Sequence, residues 1–176
     1  MKTFFIGCLH FGDRNMAHYR GFQDGFHHDE HLIEQWNYVV TNKKDIVYIL
    51  GDVTMEKSFW YYQLGRLNGI KHVILGNHDR RQDVPELLKY VQTVGGAVDW
   101  KGYLLTHVPI HPNEAVFYKA NIHAHIHHVN KLEDVVVSNR YTDEGATQVN
   151  TLTKYINVDA KLIDFKPKTI EQLLEL

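Results

Sequence analysis

Three short apolar runs, Thr3–Ile6, Ile46–Leu50 and residues 72–75, each end at a glycine and are each followed by a helical pattern. Runs this short, apolar without alternation, are strands buried on both faces. Residues 29–40 form the first helical pattern, with acidic residues in its first turn and Leu32, Ile33, Trp36, Val39 and Val40 recurring along one side. Residues 57–67 form a second, stopped by Asn68-Gly69, and residues 84–91 a third, with Pro85 in a first-turn position. A β-α-β-α-β-α order restricts this half of the chain to a layered α/β arrangement.

The remainder reads differently. Residues 97–100 and 103–106 flank Lys101-Gly102, a tight hairpin. Ile122 with its neighbours, Val135–Val137 and residues 155–158 are further short strands, and residues 169–176 a terminal helix. A parallel half followed by more antiparallel strands predicts a four-layer α-β-β-α sandwich of two mixed sheets flanked by helices, in one domain over 1–176. A chain of 176 residues buries enough surface to fold without a disulfide or structural metal. Its 19 basic against 21 acidic residues argue against a general nucleic-acid coat, though nucleic acid is not excluded as a partner. One cysteine, no long apolar stretch and no signal-peptide pattern predict a cytoplasmic protein that does not enter a membrane.

The chain carries 13 histidines, four of them between His123 and His128. Several fall where strands end. The first strand runs into Cys8-Leu9-His10, the second into Gly51-Asp52, and the third into Gly76-Asn77-His78-Asp79. Residues 103–106 run into His107, and the segment around Ile122 into His125-Ile126-His127. Ligands of open α/β sheets bind beyond the carboxyl ends of the strands. Asp, Asn, His and Cys at successive strand ends are all metal-ligating types, and packing alone does not require them there.

This series resembles the calcineurin-like metallophosphoesterases, whose pattern is D-x-H, G-D, G-N-H-D/E, a lone His and G-H-x-H. The chain reads C-L-H at 8–10, G-D at 51–52, G-N-H-D at 76–79, His107 and A-H-I-H at 124–127. The stretch Tyr155-Ile156-Asn157-Val158-Asp159, followed by Pro167, resembles the closing strand of small bacterial and phage members. The resemblance implies two facing mixed sheets and two divalent ions (Mn, Zn, Fe or Ni) at one sheet edge. It places Cys8, His10, Asp52 and His127 around the first ion and Asp52, Asn77, His107 and His125 around the second. His78 becomes the catalytic histidine, and Asn77 and His78 face substrate. The chemistry suits these types. A carboxylate bridges two cations, and neutral imidazoles bind without cancelling Lewis acidity. Gly51 and Gly76 let the backbone turn where a Cβ would crowd the site.

Two departures stand out. Ala124 replaces a glycine, a small steric change, and Cys8 replaces an aspartate. Cys8 reads either as a buried apolar side chain at a strand end or as a thiolate ligand that shifts metal preference away from Mg and Mn. Asp13 stands where phage-type relatives carry histidine and would return negative charge near the site. His27-His28-Asp29-Glu30-His31 reads as a solvated helix N-terminus. His123 and His128 read as structural or as neighbours of the ligands, and Asp79 as a cap of the next helix. His111 is a candidate substrate contact, Trp36 a core residue, and residues 59–62 too aromatic to be buried on one helix face. Arg14, Arg20, Arg80 and Arg81 either steer an anionic phosphate or are surface charge.

The expected function is hydrolysis of a phosphodiester, or of a small phosphomonoester, by water activated at a dinuclear centre, with Asp52 and His78 catalytic. A phosphodiester is favoured, and nucleotides are among the candidate substrates. The alternative is a non-catalytic metal-binding interaction module on the same fold.

Overall fold

The computed structural model describes residues 1–128, 135–137, 140–142, 145–147 and 151–175. The three predicted apolar runs become β1 (Thr3–Ile6), β2 (Ile46–Leu50) and β3 (Ile70–Ile74), and an unpredicted strand, β4 (Thr93–Gly95), completes a parallel sheet in that order. Thr3 stands opposite Ile46, Ile46 opposite Ile70, and Ile74 opposite Gly95. Parallel neighbours need crossovers, and here these are helical. Between β1 and β2 run α1 (Arg14–Tyr19) and α2 (Gly25–Val39).

Helix α2 begins four residues before residue 29, because Asp24 accepts the His27 amide at 2.9 Å as its N-cap. His28 and Asp29 therefore lie in the helix body and are buried with Leu32, Ile33 and Trp36, which corrects the expected solvated N-terminus. Residues 57–67 hold a 3-10 helix, Ser58–Arg66, in place of an α-helix. Its buried apolar residues Tyr61 and Leu64, followed by Leu67, recur every third position, the period of a 3-10 turn. The third helical segment is shorter than expected. Helix α3 (Val84–Leu87) gives way to i→i+3 bonds from Lys89 and Tyr90, which bring Gln92 to the Lys71 carbonyl and start β4.

The second sheet contains β5 (Val98–Trp100), β6 (Tyr103–Leu105) and β7 (Asn121–His123). The predicted hairpin joins β5 and β6, with Lys101 at φ 54° and Gly102 at φ 82°, both left-handed as in a type I′ turn. Helix α4 (Pro112–Ala115) lies on the crossover from β6 to β7, which makes that pair parallel. Two small antiparallel ladders follow, β8 (Val135–Val137) with β11 (Thr151–Thr153) and β9 (Arg140–Thr142) with β10 (Gly145–Thr147). Strand β12 (Tyr155–Asn157) then joins β7 in parallel, giving the order β12-β7-β6-β5. The second sheet is thus more parallel than expected: it is mixed, while the first is parallel throughout.

The core draws Phe5, Ile6, Ile49 and Ile74 from the first sheet, and Leu105, Ile122 and Val158 from the second sheet and the residue just past it. Phe5 meets Trp100 edge-on at 5.0 Å. Helix α5 (Ile170–Leu174) lies against β1, its Thr169–Gln172 capping box closed by a 2.9 Å bond. Just past β1, Gly7 donates to Val158 and accepts from Ala160, so the chain leaving the first sheet is stitched to the end of the second. Among the described residues, no helix is long and apolar enough to cross a membrane.

Candidate metal centre

Where the strands end, the backbone is held in conformations that ordinary side chains avoid. Cys8, His10, Asp52 and His125 have φ of 54°, 53°, 52° and 69°. Left-handed geometry costs a residue with a Cβ about 1–2 kcal/mol. Strain gathered on the residues of one site is a signature of function rather than of packing. Glycine is required beside them. A Cβ on Gly51, itself at φ 76°, would lie 2.5 Å from His107 Nδ1, and one on Gly76 would collide with the Asp52 carboxylate. Asp79 fixes this junction by accepting the amides of Asp52 at 2.7 Å, Gly76 at 2.9 Å and Val53 at 3.0 Å. It therefore ties the ends of β2 and β3 together and does not cap a helix.

The side chains converge in two overlapping groups. Ligand atoms of Cys8, His10 and His127 lie within 4.8 Å of one another, as do those of Cys8, Asp52 and His107. Asp52 stands between two imidazoles, its Oδ2 3.3 Å from His107 Nε2 and 3.7 Å from His10 Nε2, while Oδ1 accepts the His78 amide at 3.0 Å. His107 Nδ1 donates to the Leu50 carbonyl at 2.8 Å. Its Nε2 faces Asn77 Oδ1 at 2.9 Å and His125 Nδ1 at 3.2 Å. The His125 amide donates to Cys8 Sγ at 3.2 Å. The ligand candidates thus converge at one place: Cys8, His10, Asp52, Asn77, His107, His125 and His127, with His78 beside them.

 

The donor set fits divalent ions. Both ring nitrogens of His10 and Oδ2 of Asp52 are buried without a hydrogen-bond partner among the described residues. Each such atom costs about 1–3 kcal/mol when left bare, a cost that cation binding removes. Burial, with the charge of Arg20, pulls His10 down to about 3, which keeps it neutral and able to ligate. Burial also lowers His125, helped by the charge of His107. For Asp52, burial acts upward, but the adjacent His107 imidazole and the His78 amide prevail and hold its carboxyl below the usual range. Burial, then the charges of Asp159 and Asp52, push the Cys8 thiol well up. A nearby cation reverses that balance by stabilising the thiolate.

Several residues are placed differently from expectation. Arg20 does not face solvent or phosphate: it is buried and paired with Asp159 at 3.1 Å. Asp13 caps α1 through the Asn15 and Met16 amides, with Oδ2 3.9 Å from His10. His111 caps α4 by accepting the Asn113 amide at 3.2 Å. Arg80 pairs with Asp83 and Arg14 lies near His18. As expected, Trp36 is core, and the aromatic run divides, with Tyr61 buried and Phe59 exposed. His123 is buried within β7 and His128 is exposed. The sequence reading missed Asp159, whose carboxylate accepts from His127 Nδ1 at 2.6 Å. The Asn157-Val158-Asp159 ending was the available signal for it.

Residues 1–170 match the family model of the calcineurin-like phosphoesterases. An uncharacterised protein of Methanocaldococcus jannaschii is 30% identical over 182 residues, covering 99% of this chain and 90% of that protein. The gene 66 protein of Mycobacterium phage D29 is 38% identical over 96 residues, or 49% of this chain and 46% of its own length. A structure of a protein of unknown function from Aquifex aeolicus has the same fold, with a TM-score of 0.68 at 21% identity over 98% of this chain and 97% of that one.

Proposed function

The chain belongs to the calcineurin-like phosphoesterase family, metal-dependent hydrolases of phosphoesters, and on that premise we propose that it hydrolyses a phosphodiester or small phosphomonoester at a dinuclear centre. Asp52 Oδ2 is the observation that carries this reading. It is a buried carboxylate oxygen without a hydrogen-bond donor among the described residues, set between His10 and His107. Cys8, His10 and His127 would complete one metal position, and Asn77, His107 and His125 the other, with Asp52 shared. Divalent ions bound there supply Lewis acidity to water and to phosphoryl oxygens.

The protein's own groups do the rest. The Leu50 carbonyl fixes the His107 tautomer, leaving Nε2 as the ligating atom. The His78 amide holds Asp52 Oδ1, which directs Oδ2 into the site. His78 itself is part-exposed, with Nδ1 3.4 Å from Glu56 Oε1. This contact orients the ring and leaves Nε2 to deliver a proton to the leaving alkoxide. Asn77 and His78 share the turn that faces substrate. Because that side of the site is accessible, a diester with an arm on each side of phosphorus is the favoured substrate class.

The test is hydrolysis of bis-p-nitrophenyl phosphate and p-nitrophenyl phosphate with Mn, Zn, Fe, Ni and Mg. We expect turnover, and His78→Ala should lower kcat by about 100- to 10,000-fold with metal content unchanged. Metal binding without turnover with any ion would favour the non-catalytic metal-binding module instead.

A further inference from the structure

One buried ion pair reaches both ligand-bearing segments of the first metal position. Arg20 and Asp159 are separated by 139 residues, and their side chains have no solvent exposure. Asp159 Oδ2 receives the Nδ1 proton of His127 at 2.6 Å, since an ionised carboxylate can only accept. The Arg20 guanidinium donates to the Cys8 carbonyl at 2.7 Å and the Leu9 carbonyl at 3.4 Å, beside the strained backbone of Cys8 and His10. It also lies over the Phe165 ring, 5.6 Å from its centroid, and meets His28 Nε2 at 3.0 Å. A guanidinium has no acceptor, so His28 carries its proton on Nδ1, which donates to Asp29 Oδ1 at 2.9 Å. Asp29 Oδ2 in turn accepts the Gly12 amide at 2.9 Å, two residues beyond His10.

We propose that Arg20 and Asp159 are positioning residues for the Cys8–His10–His127 metal position. They hold the His127 ring with Nε2 free to ligate, and they hold the Cys8–His10 loop in its left-handed turns. The inference rests on the metal-centre reading above. Its direction is specific for Asp159, which bonds to His127 and to none of Asn77, His107 or His125. A carboxylate behind a ligating histidine sets its tautomer and raises its basicity, and loss of such a partner costs about 10- to 100-fold in metal affinity.

The experiment is metal titration of the full chain with Mn and with Zn, followed by calorimetry and metal analysis, for wild type and for Asp159→Ala and Asp159→Asn. Wild type should bind two equivalents. Asp159→Ala should weaken one of them by about 10- to 100-fold and leave the other unchanged. Asp159→Asn, whose amide oxygen still accepts the His127 proton, should recover part of the loss. Trp36→Phe, a core change away from this pair, should lower thermal stability with both affinities unchanged. Equal weakening of both equivalents in Asp159→Ala, or none, would overturn the positioning role while leaving the dinuclear reading standing. A wild-type chain that binds no metal would overturn both. If neither Asp159 variant folds, imidazole nitrogen NMR of the metal-loaded wild type decides: His127 protonated at Nδ1 supports the proposal, and His127 protonated at Nε2 refutes it.

Discussion

Asp52 shows how one side chain can be committed in two directions. Its Oδ1 is held by the His78 amide, and its Oδ2 is turned toward two imidazoles. Cys8 is the residue where chemistry and family pattern diverge. Its Sγ is buried, accepts from the His125 amide, and lies close to ligand atoms of both groups. A sulfur ligand is softer than the carboxylate common at this position, so it favours Zn over Mg and Mn. Cys8→Asp should therefore shift the metal preference toward Mn and Mg, read as relative turnover across the metal panel. An unchanged preference would remove Cys8 from the ligand set.

At the scale of the element, the site depends on strands that stop together. Gly51 and Gly76 let the turns after β2 and β3 approach so closely that a Cβ on Gly51 would lie 2.6 Å from the Gly76 backbone. Gly51→Ala should cost at least about 2 kcal/mol in denaturant unfolding, combining a left-handed φ with overpacking. Gly96→Ala, with nothing within 4 Å of the added Cβ, should stay within about 0.5 kcal/mol of wild type. Similar losses at the two positions would contradict this account of the junction. The apolar strands, hairpin and strand-end residues were legible in the sequence because each is written locally, as an apolar run, a Lys101-Gly102 turn, or a polar residue after a run, whereas β4, β9, β10 and β11 carry no such run and were not foreseen. The 3-10 helix was less legible: Tyr61, Leu64 and Leu67 satisfy a period of three, but residues 57–67 also fit an α-helical pattern.

The whole molecule brings the ends of two sheets to one place. Gly7 is the link, bonded to Val158 and Ala160 as β1 ends. This encounter carries Cys8 and His10 from the first sheet to His125 and His127 from the second. It also explains what sequence reading lacked. The residue types around the site could be read in order along the chain, but Arg20 with Asp159 and the burial of His28 exist only after residues far apart in sequence meet. A charged residue in such a sequence looks the same whether it is on the surface or behind a ligand. Folding decides between the two.

The proposed hydrolysis depends on two ions that Asp52 would share. Its most direct test is the rate of bis-p-nitrophenyl phosphate hydrolysis by chelator-treated protein as Mn or Zn is added back. No turnover is expected without metal, with a plateau reached at two equivalents per chain, and no plateau at any ratio for Asp52→Ala. Turnover that persists in chelator, or that is unchanged in Asp52→Ala, would contradict it.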